Sequence, residues 1–417
     1  GAAAYLVNVG RERDRAVAAE KLATERLAES ERARVTATAT SEFLDGILAS
    51  PDPRMEGKDV TVLAALHRSS GLIEQRLKGQ EAVEAAVRTS IGHAYRALED
   101  IKSARPHLDR ALEIQVRTLG AAHRDTLKTR HELAMVTALE SRVEDAIVMM
   151  KEVVADSRRV LGDDDPATIE AIHDLGATLG WSPRPEALDE ALEAYKEATE
   201  RRTRLFGAED RRTLSSKQGW AGVYYSKGKP AECEPMIREI VEVYRRITDP
   251  TDVERLGAVR DLAVILRVLG RNEEALPLLQ EAYAGLKAQM PAGHIDLLSA
   301  GITLAGVLNA MGQGDEALAV ATEISSAADA HLGEENTFRW MTHVSIGDSY
   351  TTLGRYEEAE REMLRAHEMI VKAIGRDGRT SRSAARQIVR LYEAWGKADE
   401  VEKWKPFTVR SDAAAPK

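Results

Sequence analysis

The sequence predicts an all-α fold made of about eight repeated helical hairpins. Aromatic residues are only 5% of the 417 residues, there are 13 prolines, and Ala, Leu, Glu and Arg dominate, which is typical of helical proteins. A large residue, here called the anchor, also recurs at a period of 42 residues with a single step of 45. The anchors are Ile91, Leu133, Leu175, Trp220, Leu262, Leu304, Ile346 and Ile388.

Small residues keep the same phase as the anchors and define two helices per repeat. The residue after the anchor is Gly or Ala in seven repeats, and a second small residue follows thirteen positions after most anchors, as at Ala104 and Cys233. Small side chains on two helices allow their backbones to approach closely. Eight residues after the anchor, five repeats carry a glycine suited to a left-handed turn: Gly228, Gly270, Gly312, Gly354 and Gly396. Each repeat is therefore predicted to be a helix, a tight turn and a second helix.

The joints between repeats explain a motif that otherwise resembles a kinase signature. The sequence HRD at 123–125 opens the catalytic loop of protein kinases, but Arg130 lies where that loop needs a magnesium-binding Asn. Three joints share a pattern, LGAAHRDT, LGDDDPAT and FGAEDRRT. We expect HRD to be part of a joint, and we expect the Thr126 hydroxyl to cap the next helix by accepting a backbone N–H.

This pattern resembles the tetratricopeptide repeat (TPR), and its long period is similar to kinesin-light-chain-like repeats, whose joints read L-G-x-x-H-P-x-T. The resemblance covers residues 82–404 and places His123 at the His position of the joint. It implies a right-handed superhelical solenoid of stacked hairpins, preceded here by a long charged N-terminal helix. It also implies a concave groove lined by the first helices, with the residues just before and two after each anchor facing into it.

The segments before the repeats resemble the region that follows the membrane helix of bacterial membrane-bound serine/threonine kinases. They are a charged Ala-rich helix or linker at 11–49, ending in SEFLDGILA, and a Pro-containing linker with an amphipathic helix at 50–81. The resemblance implies that residues 1–10 are the end of a membrane helix and that a kinase domain lies upstream. An ordinary chain terminus is the alternative. Residues 405–417 are predicted to be a disordered tail.

No catalytic, metal or cofactor motif is complete in the sequence. Met135 replaces the second zinc ligand of H-E-x-x-H in HELAM, and the only cysteine, Cys233, occupies a small core position. The net charge of −10 argues against a broad nucleic-acid-binding face. We therefore expect no enzymatic activity, no cofactor and no nucleic-acid partner for these residues.

The expected function is a protein- or peptide-binding scaffold that regulates a bacterial signalling protein, in particular a serine/threonine kinase. Acids before several anchors favour a partner of basic or mixed charge. A stand-alone soluble adaptor and a structural dimerisation module are the alternatives, and the location is either membrane-associated or cytoplasmic. The candidate groove residues are Lys128, His131, Glu132, Met135, His173, Asp174, Arg260, Asp261, Val264, Asn309 and Asp348.

Overall fold

The computed structural model describes residues 61–376 and 378–409, with isolated positions between 17 and 41. The segment 1–10 and most of the predicted charged N-terminal helix lie outside these residues. Every element in the described part is helical, which confirms the all-α fold class. The elements are α1 (Val62–Ser70), α2 (Ile73–Arg76), α3 (Glu81–Ala97), α4 (Ile101–Thr118), α5 (Arg124–Leu139), α6 (Val143–Leu161), α7 (Pro166–Gly180), α8 (Ala187–Phe206), α9 (Arg211–Ser226), α10 (Pro230–Ile247), α11 (Val253–Val268), α12 (Asn272–Lys287), α13 (Ile295–Ala310), α14 (Gly314–His331), α15 (Thr337–Thr352), α16 (Tyr356–Ile374), α17 (Arg379–Trp395), α18 (Ala398–Trp404) and a 3₁₀ helix (Lys405–Thr408).

The hairpins are distributed over two compact units, residues 1–205 and 206–417. In the described part of the first unit, the hairpins are α3–α4, α5–α6 and α7–α8, and in that of the second they run from α9–α10 to α17–α18. Each anchor lies on the first helix of its hairpin. Within each unit the hairpins follow one another as repeats, so the predicted helix, turn and helix of the 42-residue period is confirmed.

The two helices of a hairpin pack closely where small residues meet. Ala134 on α5 and Ala146 on α6 are both fully buried. At the equivalent place in the preceding hairpin, a Cβ on Gly92 would lie 2.5 Å from the Cγ atom of Leu108. Cys233 takes the same position on α10, is buried as a free thiol, and has its pKa raised to about 11 by burial. It is a packing residue, because a thiol with this pKa stays protonated at neutral pH.

Tight turns inside the hairpins use a left-handed residue, as the sequence predicts. Gly270 has a φ of +77° and Gly354 a φ of +72°, and no atom lies within 4 Å of an added Cβ at either position. The first two hairpins have no glycine there, and Glu99 and Ser141 adopt φ values of +61° and +65° instead. A residue with a Cβ accepts this conformation at a cost, so glycine is favoured at the turn.

The joint at 119–126 differs from the prediction for Thr126. The helix cap is His123, whose Nδ1 atom accepts a hydrogen bond from the Asp125 N–H at 3.2 Å. Thr126 lies inside the first turn, is fully buried, and donates its hydroxyl to the Gly120 carbonyl at 2.8 Å. The prediction failed because α5 begins at Arg124, so the hydroxyl points back to the left-handed glycine of the joint.

An ion pair between joints connects successive hairpins at one place in each unit. Arg124, the first residue of α5, places its Nη2 atom 2.6 Å from the Asp165 carboxylate, which caps α7. In the second unit, Arg211 at the start of α9 pairs in the same way with Asp252, which caps α11. The Arg of the HRD sequence therefore stabilises the stacking of successive hairpins.

The C-terminal end of the second unit is ordered further than the prediction of a tail at 405–417 allows. Lys405–Thr408 form a 3₁₀ helix, and the ring of Phe407 lies 5.1 Å from that of Trp404. The Arg376 guanidinium covers Phe407 at 3.9 Å from the ring centroid. These contacts explain the 3₁₀ helix, since they partly cover the rings of Trp404 and Phe407 at the end of the last hairpin.

We predict opposite effects of alanine at two helical glycines. Gly92→Ala should lower the free energy of unfolding by about 1–2 kcal/mol, because overpacking against Leu108 outweighs the gain in helix propensity. Gly222→Ala is the matched control, since its Cβ meets no atom within 4 Å, and should raise stability by roughly 0.5–1 kcal/mol. Urea unfolding followed by circular dichroism measures both, and equal shifts in the same direction would contradict this packing argument.

Candidate functional site

A groove with a volume of about 660 Å³ crosses the first helices of the second unit. We call it the second-unit groove. Helices α13, α15 and α17 supply most of its lining. Its residues are Ser299, Ile302, Thr303, Gly306, Asn309 and Ala310 on α13, Phe338, Met341, Val344, Ser345, Asp348 and Thr352 on α15, Thr380, Ser383, Ala384, Arg386, Gln387 and Arg390 on α17, and Arg267, Asn272 and Ile370 on neighbouring helices.

The repeat places equivalent residues of successive helices in this groove. Relative to the anchors, the lining positions are mainly five, two and one before and two after, which fall on one helical face. The position two after the anchor is Gly306 on α13, Asp348 on α15 and Arg390 on α17. Gly306 leaves open space, because an added Cβ there meets no atom within 4 Å. The groove is therefore a direct consequence of stacking first helices in register.

Hydrogen-bonding side chains dominate the lining of the second-unit groove. The Asn309 amide donates to the Ser349 hydroxyl at 3.1 Å. The side-chain oxygens of Asn309 and Asn272 are buried and have no hydrogen-bond donor among the described residues. Buried polar atoms are normally satisfied by a partner, so these two oxygens are exceptions in the lining of the groove.

Asp348 is a carboxyl group between two arginines in this groove. Burial raises the pKa of Asp348, and the positive charges of Arg390 and Arg267 together with a hydrogen bond from Asn309 oppose that rise only in part. The net direction is upward, which shows that desolvation is the stronger effect here.

Three exposed arginines of the groove lack an ion pair. Arg267, Arg386 and Arg390 contact no carboxylate among the described residues within 4.0 Å. Arg386 donates to the Thr408 carbonyl at 3.2 Å, and Arg390 donates to the Gln387 side-chain oxygen at 3.3 Å. Neither acceptor carries a charge, so the guanidinium charges of all three arginines remain available.

In the first unit, the predicted groove residues are paired with one another across adjacent helices. The Nε2 atom of His131 on α5 lies 2.8 Å from the Asp174 carboxylate on α7. One carboxylate oxygen of Glu132 lies 2.8 Å from the Nδ1 atom of His93, and the other accepts a hydrogen bond from the Arg96 Nε atom at 2.7 Å. Both oxygens of Glu132 are therefore paired. Although burial opposes it, these two hydrogen bonds hold the pKa of Glu132 at about 2. These acids are neutralised inside the fold.

The other predicted residues of the first unit have packing or surface positions. Lys128 is exposed on α5, and Met135 packs against the core formed with α7. The His173 ring meets the edge of Tyr195, with ring centroids 5.3 Å apart. Burial lowers the pKa of His173, and the nearby charge of Arg202 lowers it further.

A smaller cavity of about 270 Å³ in the second unit includes Arg260 among its lining residues. Arg260 lies between two carboxylates, at 2.6 Å from Asp296 and 3.1 Å from Asp261. Asp261 also accepts a hydrogen bond from Gln218 at 2.6 Å. Val264 is partly buried on the same helix. This cluster satisfies its own charges and offers little to a charged ligand.

Asp348 and Asn309 are thus the sequence-predicted residues that line the second-unit groove. The prediction missed Arg267, Arg386 and Arg390. Arg390 follows its anchor by two positions, so the rule that selected Asp348 would also have selected it. The other two lie five after and two before their anchors, the positions at which Asn309 and His131 were selected.

Comparison with known proteins supports the TPR fold. Residues 83–159 match the tetratricopeptide repeat family model. RapI in its apo form aligns with a TM-score of 0.62 at 10% identity, over 90% of this chain and 96% of RapI. A Rap protein complexed with competence and sporulation factor gives 0.53 at 13%, over 88% and 99%. The kinesin-light-chain TPR-like repeats of Podosopora anserina give 0.44 at 20%, over 50% and 98%.

At these identities the structural similarity concerns the fold alone. No curated protein sequence matches the chain significantly. Within the described residues, no helix is long and apolar enough to cross a membrane, and no group of three or more His, Cys, Asp or Glu side chains is placed to hold a metal ion.

The His131–Asp174 pair gives a testable titration. Burial lowers the pKa of His131, but the hydrogen bond and charge of Asp174 raise it above its usual value. Protonated His131 therefore stabilises the fold below pH ~6.5, and this contribution is lost as pH rises through the raised pKa. We expect Asp174→Asn to move the NMR titration midpoint of His131 below 6.5, where burial alone would place it.

Asp145→Asn is the control for this titration, because Asp145 is an exposed carboxylate that pairs with Arg142. It should leave the midpoint of His131 unchanged. If Asp174→Asn also leaves the midpoint unchanged, the His131–Asp174 hydrogen bond does not set the protonation of the pair.

Proposed function

We propose that this chain binds an extended segment of a partner protein in the second-unit groove and acts as the recognition region of a bacterial signalling protein. The observation that supports this most strongly is the groove itself. Three consecutive first helices each present one face, which carries polar and apolar side chains, to a single space of about 660 Å³. That volume lies within the range of about 300–1,000 Å³ typical of ligand sites.

The chemistry of the lining suits a peptide backbone. An extended segment carries an N–H and a C=O group at every residue other than proline, and each needs a partner when it leaves water. The side-chain amides of Asn309, Asn272 and Gln387 carry both donors and acceptors, and the Ser345 hydroxyl can do both. The Thr303 hydroxyl already donates to the Ser299 carbonyl at 2.9 Å, so it can accept from a ligand. A set of such groups binds backbone without requiring one particular side-chain sequence.

The length of the groove also fits such a segment. Helices α11 to α17 are four successive first helices, and helices in contact lie about 8–10 Å apart. Three such steps span roughly 24–30 Å, which corresponds to about eight residues of extended chain. The Rap protein complexed with competence and sporulation factor supports the idea that an array of this fold can hold a ligand.

The signalling context rests on the resemblance of the sequence to the region that follows the membrane helix in bacterial serine/threonine kinases. In this proposal a kinase domain and a membrane helix precede Gly1, and the hairpin array binds a partner protein that regulates this kinase. The coding sequence upstream of Gly1 tests this context. A glycine-rich loop, a complete H-R-D-x-x-x-x-N motif and about 20 apolar residues are expected there, whereas a start codon within a few residues of Gly1 would favour the stand-alone adaptor.

We predict that a large side chain placed in the second-unit groove weakens the binding of peptides. A randomised ten-residue peptide library displayed on phage is selected against the full chain, and the enriched peptides are synthesised for fluorescence anisotropy. Gly306→Leu should weaken their binding by about tenfold or more, because the new side chain occupies the groove floor, and tenfold corresponds to about 1.4 kcal/mol. The substitution should leave the fold intact, since the space around Gly306 is open.

Gly222→Leu is the matched control for this experiment. Gly222 also follows its anchor by two residues, has open space around it, and lies on α9 outside the second-unit groove. Its affinity for the peptides should stay within about twofold of the original chain. Failure of the library to enrich any peptide, or equal binding by the Gly306→Leu variant, would overturn the proposed function.

A further inference from the structure

We infer that the second-unit groove selects acidic peptide segments, with carboxylates near both ends of the bound segment and apolar side chains between them. This inference rests on the proposed function and names the chemistry of its ligand. It differs from the expectation of a basic or mixed partner. That expectation depended on Glu132, Asp174 and Asp261, each of which is already paired with a basic side chain.

The unpaired arginines carry this inference. Most arginines of the second unit pair with a carboxylate, as Arg255 does with Glu281 at 3.1 Å. Arg267, Arg386 and Arg390 contact none among the described residues, although the whole chain has a net charge of −10. Three guanidinium groups around one buried carboxyl make the groove locally positive on a negatively charged protein. Charge complementarity at a binding site steers partners and rejects like charges.

The placement of these arginines sets the pattern of the ligand. Arg267 lies on α11 at one end of the groove, and Arg386 and Arg390 lie four residues apart on α17 at the other. Guanidinium groups bind carboxylates through paired N–H donors. The ligand therefore needs a carboxylate near each end of a segment of about eight residues, the span of these helices in extended chain.

Apolar side chains form the middle of the groove. Phe338, Met341 and Val344 lie on α15, and Ile302 lies on α13. They accommodate aliphatic or aromatic side chains of the ligand between the charged ends. A nucleic acid fits less well, because Phe338 is the single aromatic residue of the lining that could stack on a base.

The test uses the same ten-residue library on the full chain and on a variant with Arg267→Gln, Arg386→Gln and Arg390→Gln. Peptides enriched on the original chain should be rich in Asp and Glu, and the variant should not enrich them. For one enriched peptide, replacing Glu by Gln should weaken binding about tenfold or more, and each single Arg→Gln substitution should weaken it by roughly three- to tenfold.

A double variant with Arg361→Gln and Arg365→Gln is the matched control. Both arginines are exposed on α16, lie outside the groove and form no ion pair with the described residues. This control should bind the enriched peptides as the original chain does. Equal weakening by both sets of substitutions would mean that net charge alone acts, and it would overturn the inference.

The outcomes separate this inference from the proposed function. Enrichment of neutral or basic peptides whose binding is lost in Gly306→Leu would leave peptide binding in place and overturn the preference for acids. No enrichment at all would overturn the proposed function. Tighter binding of a labelled ten-nucleotide single-stranded oligonucleotide than of any acidic peptide would overturn the inference in favour of nucleic acid.

Discussion

The close approach of two helices at small side chains is the constraint on which the rest of the structure depends. Ala134 and Ala146 are fully buried on the two helices of one hairpin, and at Gly92 an added Cβ would lie 2.5 Å from the Cγ atom of Leu108, which leaves no room for a larger residue there. This contact sets the distance between the helices of each hairpin, and the repeat copies it every 42 residues. Because the spacing is constant, the first helices of neighbouring hairpins present equivalent faces side by side. Stacking of the first helices is therefore enough to form a groove.

Stacking also determines how polar groups are used. Along the first helices, a side chain two residues after one anchor can reach the residue before the next anchor, as His93 reaches Glu132. His131, two residues before its own anchor, reaches Asp174. In the first unit these pairs neutralise the carboxylates of Glu132 and Asp174, which were predicted to face the groove. Buried pairs of this kind must satisfy each other, because a partner left alone would pay its full desolvation cost.

The repeat pattern was readable from the sequence because it depends on residue size and spacing. Leu133, Ala134 and Gly270 could be assigned to a core, a close contact and a turn from their phase alone. The role of Thr126 could not, because the helix starts three residues earlier than a cap at Thr126 would require. The net charge of the groove could not be predicted from the sequence either. Whether Glu132 is free or paired depends on side chains about 40 residues away in the chain, and no local pattern records such a contact.

The same repeat position can serve stability or recognition, and the composition of neighbouring repeats decides which. Two residues after the anchor, His93 forms a cross-helix pair in the first unit, while Gly306 and Arg390 leave space and free charge in the second. Positions that set hairpin packing cannot vary without cost, whereas these concave positions can. The proposed recognition site is therefore the face of α13, α15 and α17, where Arg386 and Arg390 form no ion pair with the described residues.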